Sequence, residues 1–190
     1  MKQPNIVNGV NVDNLVDTVK AIKSTPTLAK FTFKANNKWM DGGLNRTTIK
    51  DFYGTCQDMS HKQEFIFDND EPPVLLGTDL GANPVEFVLH ALAGCLTTAL
   101  VYHAAAMGEK IDEVESRFEG DLDLHGFLGL NDTIRNGYQN IRVIYKIKGN
   151  MSEERKQELI QIAQARSPVF DIVTNKVPVE VMHESIEKAA

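Results

Sequence analysis

The chemistry available to this 190-residue chain starts with two cysteines and five histidines. Cys95 sits in "ALAGCLTTAL", an apolar run of small residues, and Cys56 sits in "GTCQD", a turn-like segment. A free cysteine packs as a small apolar residue unless a cation and an open approach make it a reagent. The helix dipole acts only in the first and last turns, so a mid-helix thiol gets nothing from it. Ala91, Ala93 and Gly94 leave room beside Cys95. At roughly 100° per residue, His90 is rotated by about 140° and His103 by about 80° from Cys95, so neither imidazole comes onto the sulfur. A Cys-His hydrolase is therefore a poor reading. The histidines at 61, 90, 103, 125 and 183 form no HxxxH pair and the cysteines no CxxC pair, so neither a metal nor another cofactor is expected. From its own segment, Cys95 stays open between packing and reagent.

Its position depends on the elements around it. Residues 11–24 place Leu15, Val16, Val19 and Ile22 at helical spacing, with Asp13 as the expected N-cap and Pro26 beyond the end. Residues 28–40 alternate through Phe31, Phe33 and Ala35, as a half-buried strand does. "DGGLN" reads as a hairpin turn, and "RTTIKDFYG" and "QEFIFDN" as two more strands. After the loop "NDEPPVLLGTDLGANP", Asn83 can cap a helix with Pro84 at its first position and Glu86 three residues past the cap. That helix runs to Gly108 and is apolar nearly all round, so it should be buried on every side, more than a small monomer supplies. Strands follow at "EVESRFEGDLDL" and "NIRVIYKIKG", joined by a Gly-rich connection. Residues 152–165 form an amphipathic helix capped by Ser152, and "KVPVEV" reads as a closing strand. The class is α+β with antiparallel sheet.

Composition narrows the function. A net charge of −6 argues against a nucleic-acid surface. Apolar content of 42% and charged content of 24% are ordinary for a globular protein. No continuous apolar run approaches the eighteen or so residues of a membrane span, and the first fifteen residues lack a signal-peptide core, so a cytoplasmic protein without a membrane partner is expected. Two cysteines are too few for a disulfide scaffold.

"GANPVEFVLHALAGCLTTAL" resembles the central-helix motif of the OsmC/Ohr family, the osmotically inducible and organic-hydroperoxide-resistance proteins. There a Gly-x-Asn-Pro loop opens a long helix with a reactive cysteine about eleven residues after the proline. "DEPPVLLG", "GEKIDEVESRFEGDLDL" and "ARSPVFDIVTNKVPVEV" resemble the loop before that helix, the strand after it and the C-terminal elements. The resemblance covers roughly residues 30–182 and sets residues 1–27 apart as an N-terminal helical extension of an OsmC-like domain at 28–190. It implies an intertwined homodimer in which antiparallel sheets wrap long central helices. It also implies a thiolate that reduces organic hydroperoxides, a resolving cysteine, a thiol reductant and an arginine–glutamate pair. By that resemblance Cys95 takes the peroxidatic position and Arg46 that of the arginine. The family glutamate falls on Val85, which leaves Glu86 as the adjacent substitute. Glu86 and Cys95 are about 180° apart on one helix, so cooperation between them needs a second subunit.

One departure is larger. The second family cysteine falls on Ser167, in "RSPVF", and serine cannot form a disulfide. Cys56 is a poor substitute because its hairpin position is exposed. Three functions follow: a one-cysteine thiol peroxidase serving oxidative stress defence, with an external thiol completing the cycle; a non-catalytic dimer whose interface holds an apolar small molecule; and a protein in which Cys95 only fills space.

Overall fold

The fold is described from a computed structural model over residues 3–184. It is α+β, with every strand pair antiparallel, as expected. A short hairpin, β1 (Ile6–Val7) and β2 (Val10–Asn11), leads into α1 (Val12–Ser24). Asn11, not Asp13, caps α1, its side chain accepting from Asn14 N–H; Asp13 reaches back instead to Asn5 N–H. The expected strand at 28–40 is split into β3 (Thr32–Phe33) and β4 (Asn36–Asp41). β5 (Leu44–Gly54) carries both on one edge and β6 (Gln57–Asn69) on the other.

Strand alternation gives this four-stranded sheet two unlike faces. In the β5–β6 register, Ile49, Phe65 and Phe67 share one face, and Arg46, Thr48, Ile66 and Asp68 share the other. A row of rings continues from Phe65 through His61, Phe52 and Phe33 to Phe31, each 5.0–5.9 Å from the next. Gly54 makes room at the end of this row, because a Cβ there would lie 2.3 Å from the Phe31 ring.

The second layer is helical. α2 (Pro84–Ala106) is the spine, followed by β7 (Glu113–Asp121), the short α3 (Leu124–Phe127), β8 (Asn140–Lys148), α4 (Glu153–Arg166) and α5 (Pro168–Thr174). Leu92, Leu96, Leu100 and Ala104 of α2 recur every fourth residue and pack against Leu159 and Ala163 of α4. The inner residues of β7 and β8, including Val114, Phe118, Val143 and Tyr145, close over this core. Their outer face is a ladder of ion pairs, Glu113–Lys148, Glu115–Lys146 and Arg142 with Glu119 and Asp121, which suits water. The N-terminal segment ties onto the spine through Asn8, whose side chain donates to Glu109 C=O and accepts from Ile111 N–H.

Three expectations change. α2 is buried on one face only: Val88 and Tyr102 on its other side are exposed, because a single chain has nothing to cover them. α2 is also long and apolar enough to span a membrane by length and composition, with mean hydropathy 1.6 over eighteen residues. Its Gly, Thr and His residues interrupt the apolar run, but the aliphatic residues around them keep the mean high. It packs against α4, α5 and β7 along one side. Finally, "KVPVEV" is not a strand: among the described residues no sheet edge pairs with it, and Val179 and Val181 are exposed. Residue 27, where the sequence reading divides extension from domain, lies in a short 3-10 turn, Pro26–Ala29, between α1 and β3; residues 1–2 and 185–190 lie outside the described residues.

Candidate functional site around Cys95

Cys95 borders the buried ridge of α2, between Leu92 and Leu96, and is half-buried. What faces it comes from the α4–α5 junction. Pro168 disfavours helical backbone at the residue before it, so α4 stops at Arg166 and Ser167 is extended (φ −82°, ψ 116°). Pro168 then opens α5, and Ser167 becomes its N-cap, accepting from Phe170 N–H at 3.1 Å. The same hydroxyl oxygen lies 3.1 Å from Cys95 Sγ, and Ser167 is 2% exposed. Ser167 and Cys95, the two residues singled out in the sequence, are thus in contact across 72 residues of sequence.

The structure does not bring Arg46 or Glu86 to that contact within the chain. Arg46 makes a two-point pair with Asp68, Nε to Oδ1 at 2.7 Å and Nη2 to Oδ2 at 2.8 Å, on the sheet face opposite the aromatic row. The pairing holds the Asp68 carboxyl below its usual range. Glu86 completes a capping box: its Oε2 accepts from Asn83 N–H at 2.9 Å while the Asn83 side chain accepts from Val85 N–H. It stands nine residues before Cys95, about 14 Å along the helix axis. The neighbouring Val85 has an apolar side chain, and its carbonyl accepts from Tyr138 Oη at 2.8 Å. Cys56 is exposed at the β5–β6 turn, where it and Thr55 both have positive φ.

The loop before α2 is built around a residue that sequence reasoning missed. Asp70 is 1% exposed, and its carboxylate accepts from Thr78 Oγ1, Thr78 N–H, Leu80 N–H and Glu71 N–H at 2.6–3.1 Å. The Thr78 hydroxyl and these backbone donors pull its carboxyl down to about 2. Gly77 is required there, since a Cβ would lie 1.8 Å from Glu71 O. The only early signal was an Asp next to a Pro-Gly-rich loop, which many turns share. Asp79, Leu80 and Glu86 line a pocket of about 430 Å³ at the helix start. Cys95 takes no part in it, so the pocket and the thiol are separate places. Between Glu86 and its end, α2 carries no Asp, Glu, Lys or Arg, so the helix around the thiol is uncharged. Among the described residues no cluster of His, Cys, Asp or Glu could hold a metal.

Comparison with known proteins gives the family. The OsmC-like protein family model matches residues 77–182, which include α2, Cys95 and Ser167. No curated protein matches the sequence. Among solved structures, an OsmC-like protein from Mycoplasma pneumoniae is similar with a TM-score of 0.58 at 16% identity, covering 76% of this chain and 89% of that one. An organic hydroperoxide resistance protein OsmC from Legionella pneumophila reaches 0.53 at 15%, covering 74% and 89%. An OsmC-like protein from Vibrio cholerae reaches 0.55 at 11%, covering 73% and 91%. At such identities the likeness is one of fold. With the family model matching more than half of its length, the chain belongs to the OsmC-like protein family.

Proposed function

We propose that the protein is a one-cysteine thiol peroxidase that reduces organic hydroperoxides through Cys95, as a homodimer in the cytoplasm. The contact between Cys95 Sγ and Ser167 Oγ carries this reading. It puts a buried hydroxyl, rather than a second sulfur, against a thiol in an uncharged helix. The Cys95 thiolate attacks the terminal peroxide oxygen, an S–O bond forms, and the O–O bond breaks. The alkoxide leaves and takes a proton from water, sulfur is oxidised by two electrons, and Cys95 becomes a sulfenic acid. An external thiol condenses with it to a mixed disulfide and water. A second thiol then frees Cys95 and leaves as the oxidised reductant.

Exposed area supports the dimer. The chain exposes 14,376 Å². A folded monomer of 21.2 kDa should expose about 9,100 Å². The excess is larger than one side of a standard interface needs. The aromatic row and the open side of α2 are the surfaces a second copy would cover. A binding-only reading is favoured by one observation: Arg46 is engaged by Asp68 and Glu86 by the helix cap. In that case an apolar ligand binds Cys95→Ala as well as wild type. The deciding experiment treats Cys56→Ser protein with cumene hydroperoxide, traps the sulfenate with a dimedone-type nucleophile and locates it by mass spectrometry. A label on Cys95, absent in Cys95→Ser, is expected. A thiol that survives peroxide able to oxidise free cysteine would overturn the peroxidase.

A further inference from the structure

Ser167 does more than replace a sulfur. Its oxygen already accepts a hydrogen bond from Phe170 N–H, which fixes the hydroxyl as the cap of α5. The O–H is left to point at Cys95 Sγ, 3.1 Å away, where 2% exposure shuts out competing water. A sulfur lone pair engaged from the α5 side fixes the thiol rotamer. Beside the thiol, Ala91 and Gly94 leave space on the helix surface, and no atom lies within 4 Å of a Cβ built on Gly94. We propose that Ser167 is a positioning residue that, by donating to Cys95, aims the thiolate at the peroxide and then holds the sulfenic oxygen until the external thiol arrives. This rests on the reading of Cys95 as the reacting thiol.

The structural alternative is that Ser167 only caps α5, and three substitutions separate the roles. Ser167→Ala removes both the cap and the donor. Ser167→Gly removes the donor but keeps an adequate cap, since glycine serves almost as well as serine at that position. Ser167→Thr keeps both. The readout is the second-order rate of Cys95 sulfenate formation with cumene hydroperoxide, alongside the melting temperature. Loss of a hydrogen bond to a charged partner should slow the Ala and Gly variants alike by about tenfold or more, with Thr near wild type. If the Gly variant reacts like wild type and only Ala is impaired, Ser167 is a cap and the proposal is wrong. If neither is slowed, the proposal is wrong while the peroxidase reading stands. If wild type itself forms no sulfenate, both fall. Should Ala not fold, the Gly and Thr pair decides alone.

Discussion

Ser167→Cys should convert the site into a two-cysteine one, and its effect can be worked from the geometry. Cys95 and Ser167 already touch, so the new sulfur needs to close only the last ångström or so to reach bonding distance, near 2.05 Å in any disulfide. The bond would close a loop of 72 residues. Chain-entropy loss in the unfolded state for such a loop is about 4 kcal/mol. In a chain of this size each kcal/mol moves the melting point by about 2–4 °C, so the oxidised variant should melt on the order of 10 °C above its reduced form. One equivalent of cumene hydroperoxide should reduce the titratable thiols from three to one, Cys56, and peptide mapping should find Cys95 in the bond. Both forms must be melted at the same protein concentration, because dimerisation itself shifts the midpoint. The comparison of oxidised with reduced variant cancels any packing change the larger side chain causes. Three thiols surviving peroxide, or a bond made through Cys56, would refute the placement of Ser167 against Cys95. An intact bond with no rise in melting point would instead refute the loop argument.

Three further outcomes follow. Arg46→Ala should leave sulfenate formation at Cys95 within about twofold by stopped-flow, and leave the denaturation midpoint nearly unchanged, because its pair with Asp68 is partly exposed; a hundredfold loss of rate would show that the arginine works on the thiol. Asp70 has a folded pKa depressed to about 2, below its ordinary 3.8, so its contribution is complete above about pH 4 and fades as pH falls toward 2. Asp70→Asn should therefore melt below wild type at pH 7, with the gap narrowing between pH 4 and pH 2, and a gap independent of pH would contradict this. Phe52→Asp, in the middle of the aromatic row, should abolish the dimer in sedimentation velocity at micromolar protein, whereas Thr48→Asp on the opposite face should leave it intact.

Local signals were readable wherever one segment decides its own conformation. Asn83, Pro84 and Glu86 specify a helix start without help, and the capping box is there. Ser152 likewise caps α4, and "RSPVF" contains its own break. The α1 cap was missed because Asn11 and Asp13 are both good caps, and the β2 hairpin that selects Asn11 is a tertiary matter. The Cys95–Ser167 contact joins segments 72 residues apart and was reachable only through family resemblance. Asp70 was invisible because its partners are mostly backbone N–H groups, which leave no mark in a sequence.

The expectations that the chain does not meet share one cause. The spine helix is apolar all round yet covered on one side, and the valines of "KVPVEV" alternate as a strand yet pair with nothing. The β5–β6 hairpin also puts rings on one face and charge on the other, although only Phe67 of its ring-bearing side meets a ring of α2, that of Phe87. Each pattern is what a buried element carries, and each is left open in a single chain. The outer face of β7–β8 shows the contrast: where the sequence intends water, charges alternate and pair with each other. An apolar pattern costs solubility wherever it is exposed, so three of them pointing outward together argue for a surface that the folded chain does not keep. The same reasoning bears on Cys95, whose accessible side lies along that open face of α2. A second copy would therefore set the shape of the approach to the thiol, and a variant that dissociates should change peroxide selectivity before it changes the intrinsic reactivity of the sulfur.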